Sequence, residues 1–587
     1  MRYSCWGGIG TECDGSGTVR GLRGCRRDAP TPLIAGRCEP LDHPGGTDFV
    51  REPQQAEASG PAARAAAGRQ ERAAGRRFRW PRGPGLAVPG WWPLLAVLAV
   101  QAVLSLRLVR ADTAFQDEAA YLWAGHLQWA HWLHGTPIPP FPVYFSGAPV
   151  FYPPIGALAD AAGGLAAARI LSLAFMLGAT ALLWGTASRL YGRRAAFFAA
   201  ALFAALGPTL HLGAFATYDA MSVFLVALAA WCVVRAGERQ DATGWMLAAG
   251  AALALANAAA YSSALFDPVV IALALLTAFP KPGGKLAAGR CLTLLTVVAA
   301  LLTAGLLIGG SSYVTGVQQT TLARVAGSDS ALTVLGHSWS WTGLVTVLAL
   351  CAIIISWAGR ADRAQTWLLA VLASAALLGP LEQGRLHTAA SLNKHIGLGA
   401  WFAAIAAGYA ASKLIAAAPA GRDRALTSGA CVLALAFPLT LGATQSRAFN
   451  TDWPDATSFI AILRPLAGHS TGHLLVEDPS IAEYYLPAGS QWKRWSSTRN
   501  IVLPSGASTG GPSSTAGVTG PGNTGVFDEY ITAGYFSLIA LNFADTTPLD
   551  HHLADELHRN PHYHTIAVIP YGSPHGTYVI WRYEPRP

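Results

Sequence analysis

The sequence predicts a mostly α polytopic membrane protein with a small α/β domain behind its last membrane helix. Three observations carry that prediction. Of 587 residues, 52% are hydrophobic and only 13% charged, whereas soluble domains carry about 25% charged residues. Apolar runs of bilayer-crossing length recur from Leu86 to Thr444. After Gln445 the runs stop, and short strand-like and helix-like segments take their place.

The apolar runs are Leu86–Val109, Ala167–Leu190, Ala195–Ala214, Ala220–Arg235, Trp245–Ser262 and Val269–Phe279. They continue with Cys291–Gly310, Trp341–Trp357, Thr366–Leu381, Ile396–Ile415 and Leu426–Thr444. That makes about eleven transmembrane helices, Val269–Phe279 being short enough to require tilt or extension. Cytoplasmic loops are enriched in Lys and Arg. Arg72, Arg76, Arg77, Arg79 and Arg82 precede the first run, and every second exit is basic: Arg193/Arg194, Arg235/Arg239, Lys281/Lys285, Arg360/Arg363 and Lys413/Arg422. The expected orientation has the N-terminus in the cytoplasm. Asp117-Glu118, Asp219, the segment Glu382–His395 and everything after Gln445 then fall outside.

Residues 1–85 form a basic tail rich in Gly, Ala, Pro and Arg, without periodicity, and are expected to be disordered. Residues 86–444 form the transmembrane domain and 445–587 an extracytoplasmic domain. In the latter, Thr451–Leu466 and Asp550–His558 read as helices. His473–Glu477, Phe536–Leu541, Thr565–Pro570 and Thr577–Tyr583 read as strands, and Pro504–Thr524 as a mobile loop. The eight cysteines show neither zinc-like spacing nor a disulfide framework. The net charge of +8 reads as a topology signal, because no nucleic-acid module is present. Walker loops, dinucleotide fingerprints and hydrolase elbows are also missing, which argues against soluble nucleotide chemistry.

The polar residues on the expected outer face are the candidates for chemistry. Asp117 and Glu118 sit just after the first apolar run, ahead of the aromatic stretch Trp123, Trp129, Trp132, Phe141, Tyr144 and Phe145. Aromatic rings favour the membrane–water boundary, so the pair lies where a lipid-tailed substrate would need a general base. The plainer alternative is that both carboxylates complement a helix dipole. Asp219 follows Tyr218 at the start of the fourth run, where a helix cap is the alternative role. Arg385, His387, Lys394 and His395 gather before the tenth run, against the positive-inside trend, and fit a bound anion better than snorkelling.

These motifs resemble the membrane glycosyltransferases of the type-C fold. The closest likeness is to the superfamily of protein O-mannosyltransferases and 4-amino-4-deoxy-L-arabinose transferases, in an actinobacterial form. The residues that carry it are Asp117-Glu118-Ala119-Ala120-Tyr121, Tyr152-Pro153-Pro154, Ala168-Arg169, Thr217-Tyr218-Asp219 and Ser391-Leu392-Asn393-Lys394-His395. The resemblance implies an inverting transferase that moves a sugar from a polyprenyl-phosphate donor to a glycan, lipid or protein acceptor outside the membrane. Asp117 inherits the role of catalytic carboxylate, with Glu118 beside it. Arg385, His387, Lys394 and His395 would bind the donor phosphate, and Asp219, Tyr218 and Tyr152 would support substrate or metal. Some such transferases use a divalent metal, for which this sequence offers no defined ligand set. The rival classes are a transporter or lipid-linked glycan flippase and a plain membrane anchor. Transporters keep ionisable groups near the midplane and show repeated halves; here those groups cluster at helix ends.

Overall fold

The computed structural model describes residues 90–585 except 240, 279–282, 325, 487–488, 500, 503–517, 520–523, 545 and 572–575. The tail 1–85 and most of the stretch Pro504–Thr524 therefore lie outside the described residues.

Each of the eleven predicted runs contains helix among its described residues. Among the described residues, eight helices are long and apolar enough to cross a membrane: Tyr152–Tyr191, Tyr218–Gly237, Tyr261–Ala278, Gly284–Gly309, Ala331–Ala358, Arg363–Arg385, Leu392–Ala417 and Arg422–Phe449. Trp92–Leu106 and Thr243–Ala259 are shorter apolar helices. The run Ala195–Ala214 divides into Arg193–Ala204 and Gly207–Leu212, because Pro208 opens a new helix and cannot continue the old one.

The largest departures from the sequence reading in the membrane region are at two places. The second membrane helix starts at Tyr152 rather than Ala167, and is broken at Gly163 and Gly164. Gly164 has φ +68°, which glycine adopts without the Cβ clash that other residues suffer. The stretch Ser311–Ser340, between two of the predicted apolar runs, holds the helix Ser311–Val317 and the start of Ala331–Ala358. Ser330 caps the latter by accepting from the Thr333 N–H at 3.0 Å.

Leu392–Ala417 runs through the middle of the bundle, with most of its residues buried. Its small residues let neighbours approach closely. A Cβ at Gly399 would stand 2.3 Å from the Ala375 carbonyl oxygen, and one at Gly408 2.3 Å from that of Ala195. This packing fixes the end of the helix that carries Lys394.

The C-terminal region is built on a five-stranded sheet of order β2-β1-β5-β7-β6, from β1 His473–Val476, β2 Trp495–Ser497, β5 Phe536–Leu541, β6 Tyr563–Tyr571 and β7 Gly576–Tyr583. β2, β1 and β5 are parallel; β7 and β6 join antiparallel. The short strands β3 Ile501–Val502 and β4 Val518–Thr519 pair separately. Alternation along the strands splits the core between two faces. Leu474, Val476, Leu538 and Ala540 pack on one side with Phe459 and Leu463 of the helix Thr457–His469. Leu475, Ile539 and Leu541 pack on the other with Phe527, Leu553 and Leu557. The first of these helices begins at Thr457, later than the sequence suggested, where Asp455 accepts from the Thr457 N–H at 2.9 Å.

Candidate active site

Asp117 and Glu118 lie in the first turn of the helix Gln116–His134, and both are buried. Their surroundings differ. Glu118 Oε1 accepts from Arg169 Nε at 2.8 Å and from the Ala216 N–H at 2.7 Å. Its Oε2 accepts from Arg169 Nη2 at 2.6 Å and from the Phe115 N–H at 3.0 Å. Arg169 also donates to the carbonyls of Val109 at 2.9 Å, Asp112 at 3.0 Å and Thr113 at 3.1 Å. A guanidinium has five N–H donors, and these bonds use all of them. The pair therefore fastens the loop after the first helix, the start of the Asp117 helix and the approach to Asp219 to one point.

Asp117 instead receives the ammonium of Lys394 on Oδ2. Lys394 is in the first turn of Leu392–Ala417, and its Nζ lies 5.9 Å from the centroid of the Phe215 ring. Asp219 interacts electrostatically with both Lys394 and Asp117. It is not the helix cap. Thr217 occupies that position, and its hydroxyl donates to Asp219 Oδ2 at 2.8 Å. Tyr218 packs against Tyr121 with ring centroids 4.7 Å apart and the rings tilted, and Tyr152 is fully buried in the same aromatic cluster.

The cationic segment is divided by the fold. Lys394 reaches Asp117. His395 Nδ1 meets Gln383 Nε2 at 2.6 Å. Arg385 is exposed and pairs with Glu382 at 2.6 Å on its own helix. His387 is exposed with its Nδ1 at 3.0 Å from the Asp329 carbonyl. Thus the structure unites Asp117, Asp219 and Lys394, surrounds them with Tyr218 and Tyr152, and leaves Arg385 and His387 outside that group.

Among the described residues, three metal-ligating side chains come together at Asp528, His552 and Glu556, in the C-terminal region rather than beside Asp117. At Asp117 an ammonium already occupies the cation's place, so the residues there do not fit a metal centre, and no step below is routed through one.

The sequence offers Arg169 only as part of a motif and does not single out His211 or Trp453. An arginine or histidine within an apolar run is costly, and that signal was available for Arg169 and His211. Trp453 gave none. It comes from the connection to the C-terminal region, where its Nε1 donates to the Thr113 carbonyl at 3.0 Å.

The architecture is that of a multi-pass membrane protein: a bundle of apolar helices with a buried carboxylate–ammonium pair at its helix ends, followed by an α/β region. Residues 158–308 match the family described as dolichyl-phosphate-mannose-protein mannosyltransferase. No curated protein matches the chain. The fold is similar to that of ArnT from Cupriavidus metallidurans, solved bound to undecaprenyl phosphate, with 16% identity, TM-score 0.51, and 84% of this chain and 98% of that one covered. It is also similar to the archaeal oligosaccharyltransferase AglB from Archaeoglobus fulgidus, solved with an inhibitory peptide and a dolichol-phosphate, with 12% identity, TM-score 0.50, and coverage of 77% and 69%. The chain thus has the fold of ArnT and AglB, and its residues 158–308 match the mannosyltransferase family model.

Proposed function

We propose that the protein transfers a sugar, with inversion, from a polyprenyl-phosphate donor to an acceptor hydroxyl at the extracytoplasmic face, and that Asp117 is the general base. The observation that carries this reading is the buried contact between Lys394 and Asp117. The lipid phosphates in ArnT and AglB support the donor class.

The ammonium of Lys394 balances the Asp117 carboxylate in this buried place. When donor phosphate arrives, it shares the Lys394 charge and loosens the hold on Asp117. The acceptor oxygen then attacks the anomeric carbon while its proton passes to Asp117. The bond from that carbon to the phosphate oxygen breaks, and its electron pair stays on the phosphate. Negative charge grows there in the transition state, and Lys394 together with the N-terminal end of its helix stabilises it. Glu118 has a positioning role here, since its oxygens are committed to Arg169 and two backbone amides. His395 steadies the Lys394 helix through Gln383. Arg385 and His387 play no part in this reading.

The basic loops support a cytoplasmic N-terminus and an outward-facing C-terminal region that presents the acceptor. Reporter fusions after Leu381 and Gln445 should read as external, and fusions near Arg193 or Arg363 as internal. Membranes from a deletion strain should accumulate a polyprenyl-phosphate sugar that wild-type protein clears and Asp117→Asn does not. Unchanged lipid-linked sugars in the deletion strain would overturn the assignment.

A further inference from the structure

Two helices of the C-terminal region, Thr524–Thr532 and Thr547–Arg559, cover the same face of the five-stranded sheet. Leu549, Leu553 and Leu557 recur every four residues along the second helix and are buried in one cluster with Phe527 and Ile531 of the first. Side chains four apart share a helix face, so this apolar stripe fixes how the second helix is rotated. His552 and Glu556 each precede a leucine of the stripe and are also four apart, at the rim of the seam. Asp528 follows Phe527 on the first helix.

Asp528, His552 and Glu556 are each half-buried, and one ligand atom from each lies within 4.8 Å of the other two. His552 Nε2 stands 2.9 Å from Asp528 Oδ1 and 3.1 Å from Oδ2, so the imidazole faces the whole carboxylate. Glu556 pairs with Arg559 at 2.8 Å, an exposed contact of a kind that contributes little. Ligand atoms about 2.1 Å from a tetrahedral zinc stand roughly 3.4 Å from one another. His552 and Asp528 already meet that spacing, and Glu556 closes the remaining gap by turning from Arg559.

We propose that Asp528, His552 and Glu556 bind one divalent transition-metal ion of the zinc class, which clamps the two helices together. One imidazole nitrogen and two carboxylates suit zinc. Calcium takes about 6–8 oxygen ligands, and this set supplies a nitrogen in place of one of them. The ion replaces the proton on His552 Nε2, and the neutral ring keeps its proton on Nδ1. Both carboxylates stay ionised, and solvent completes the coordination because all three side chains reach the surface. Asn560 Nδ2 donates to the Ile531 carbonyl at 3.3 Å, which holds the end of the first helix. The ion holds its middle, at Asp528.

The test uses full-length protein in nanodiscs, stripped with EDTA and then given Zn²⁺, with amide exchange and bound ions both measured. At free Zn²⁺ about 100 times the Kd, opening of residues 524–532 and 547–559 should fall about 100-fold in wild type. Exchange is read at these two helices, so zinc held by cysteines or histidines elsewhere does not register. His552→Ala and Glu556→Gln should each bind one ion fewer per chain, with affinity at this site cut by more than the ~10–100-fold that an outer-shell partner is worth. Without metal, both should exchange as wild type does, which shows that they are folded. If His552→Ala loosens the helices before any ion is added, Glu556→Gln decides, because its side chain gives up only the contact with Arg559. Ca²⁺ at the same concentration should leave exchange unchanged. Wild-type exchange that ignores Zn²⁺, or equal slowing in Glu556→Gln, would overturn the site and leave a plain His552–Asp528 ion pair. Slowing by Ca²⁺ equal to that by Zn²⁺ would overturn the zinc-class assignment.

Discussion

Lys394 donates to Asp117 from 277 residues away in the sequence, and both side chains are buried. A buried charge without its partner is costly, so each residue is a reason for the other's presence. Asp117→Asn tests base and pair at once. Transfer should fall by about 10²–10⁴, the range for losing a general base, and the melting temperature should drop because Lys394 faces a neutral amide. Asp117→Asn/Lys394→Met removes both charges. It should recover stability relative to the single variant without regaining transfer, and recovery of transfer would rule Asp117 out as the base.

Lys394 also has a separate role at the phosphate. Lys394→Ala should weaken donor binding and turnover together. Lys394→Arg should restore part of each, because a planar fork keeps the charge but not the geometry of a point charge. Donor affinity and turnover both at wild-type level in folded Lys394→Ala would leave the phosphate without this ligand.

Glu118 should respond differently from its neighbour. It accepts two bonds from Arg169 in a fully buried pair, and breaking such a pair costs about 3–5 kcal/mol. Glu118→Gln should therefore show its main effect in thermal or denaturant unfolding, whereas Asp117→Asn shows its main effect in turnover. A stable but inactive Glu118→Gln would move Glu118 into the chemistry.

These contrasts mark how far the sequence could be read. The apolar runs and alternating basic loops were legible because bilayer thickness and charge placement act on local sequence. So were β5 and most of β1, β6 and β7, whose apolar residues fit a sheet packed on both faces. Asp117 and Lys394 stood out as charges at helix ends. Arg385 and His387 looked equivalent to Lys394 because they are close to it in sequence. The chain turns at His387, φ +50°, and Ser391, φ +62°, and of the four cationic residues only Lys394 and His395, beyond those turns, leave the surface. The different fates of Asp117 and Glu118 were not legible. They depend on Arg169, which lies 51 residues beyond Glu118, and on a backbone amide 98 residues beyond it.

Asp112 gives a pH prediction. Burial is the main cause that pushes its carboxyl from 3.8 up to about 6, with a hydrogen bond from Thr113 pulling the other way. The folded state thus prefers the protonated form more than the unfolded chain does. The resulting stabilisation is fully present below pH ~4 and is lost as pH rises through about 6. Asp112→Asn should flatten the fall in melting temperature across that window and raise stability at pH 7. A slope identical to wild type would mean that Asp112 does not titrate there.

The last prediction concerns how the C-terminal region acts on the site. Tyr485 ends the helix Pro479–Tyr485, and its hydroxyl accepts from the Ala114 N–H at 2.8 Å, three residues ahead of Asp117. Two further bonds hold the same loop: the Trp453 Nε1 to the Thr113 carbonyl at 3.0 Å, and the Ala456 N–H to the Thr113 hydroxyl at 3.0 Å. The neighbouring Tyr484 donates to Asp160 at 2.6 Å instead, on the helix that starts at Tyr152. Ala114 is fully buried, so Tyr485→Phe strands its N–H at a cost of about 1–3 kcal/mol. We expect faster amide exchange over residues 112–118 and a several-fold lower kcat, roughly as for one lost hydrogen bond, with donor KM unchanged. Tyr484→Phe serves as the contrast, because it loosens the same helix without touching the loop, and it should keep near wild-type kcat. If the two variants behave alike, the C-terminal region acts by docking as a whole rather than through Tyr485. If Tyr485→Phe matches wild type in both exchange and kcat, the loop before Asp117 is held without it.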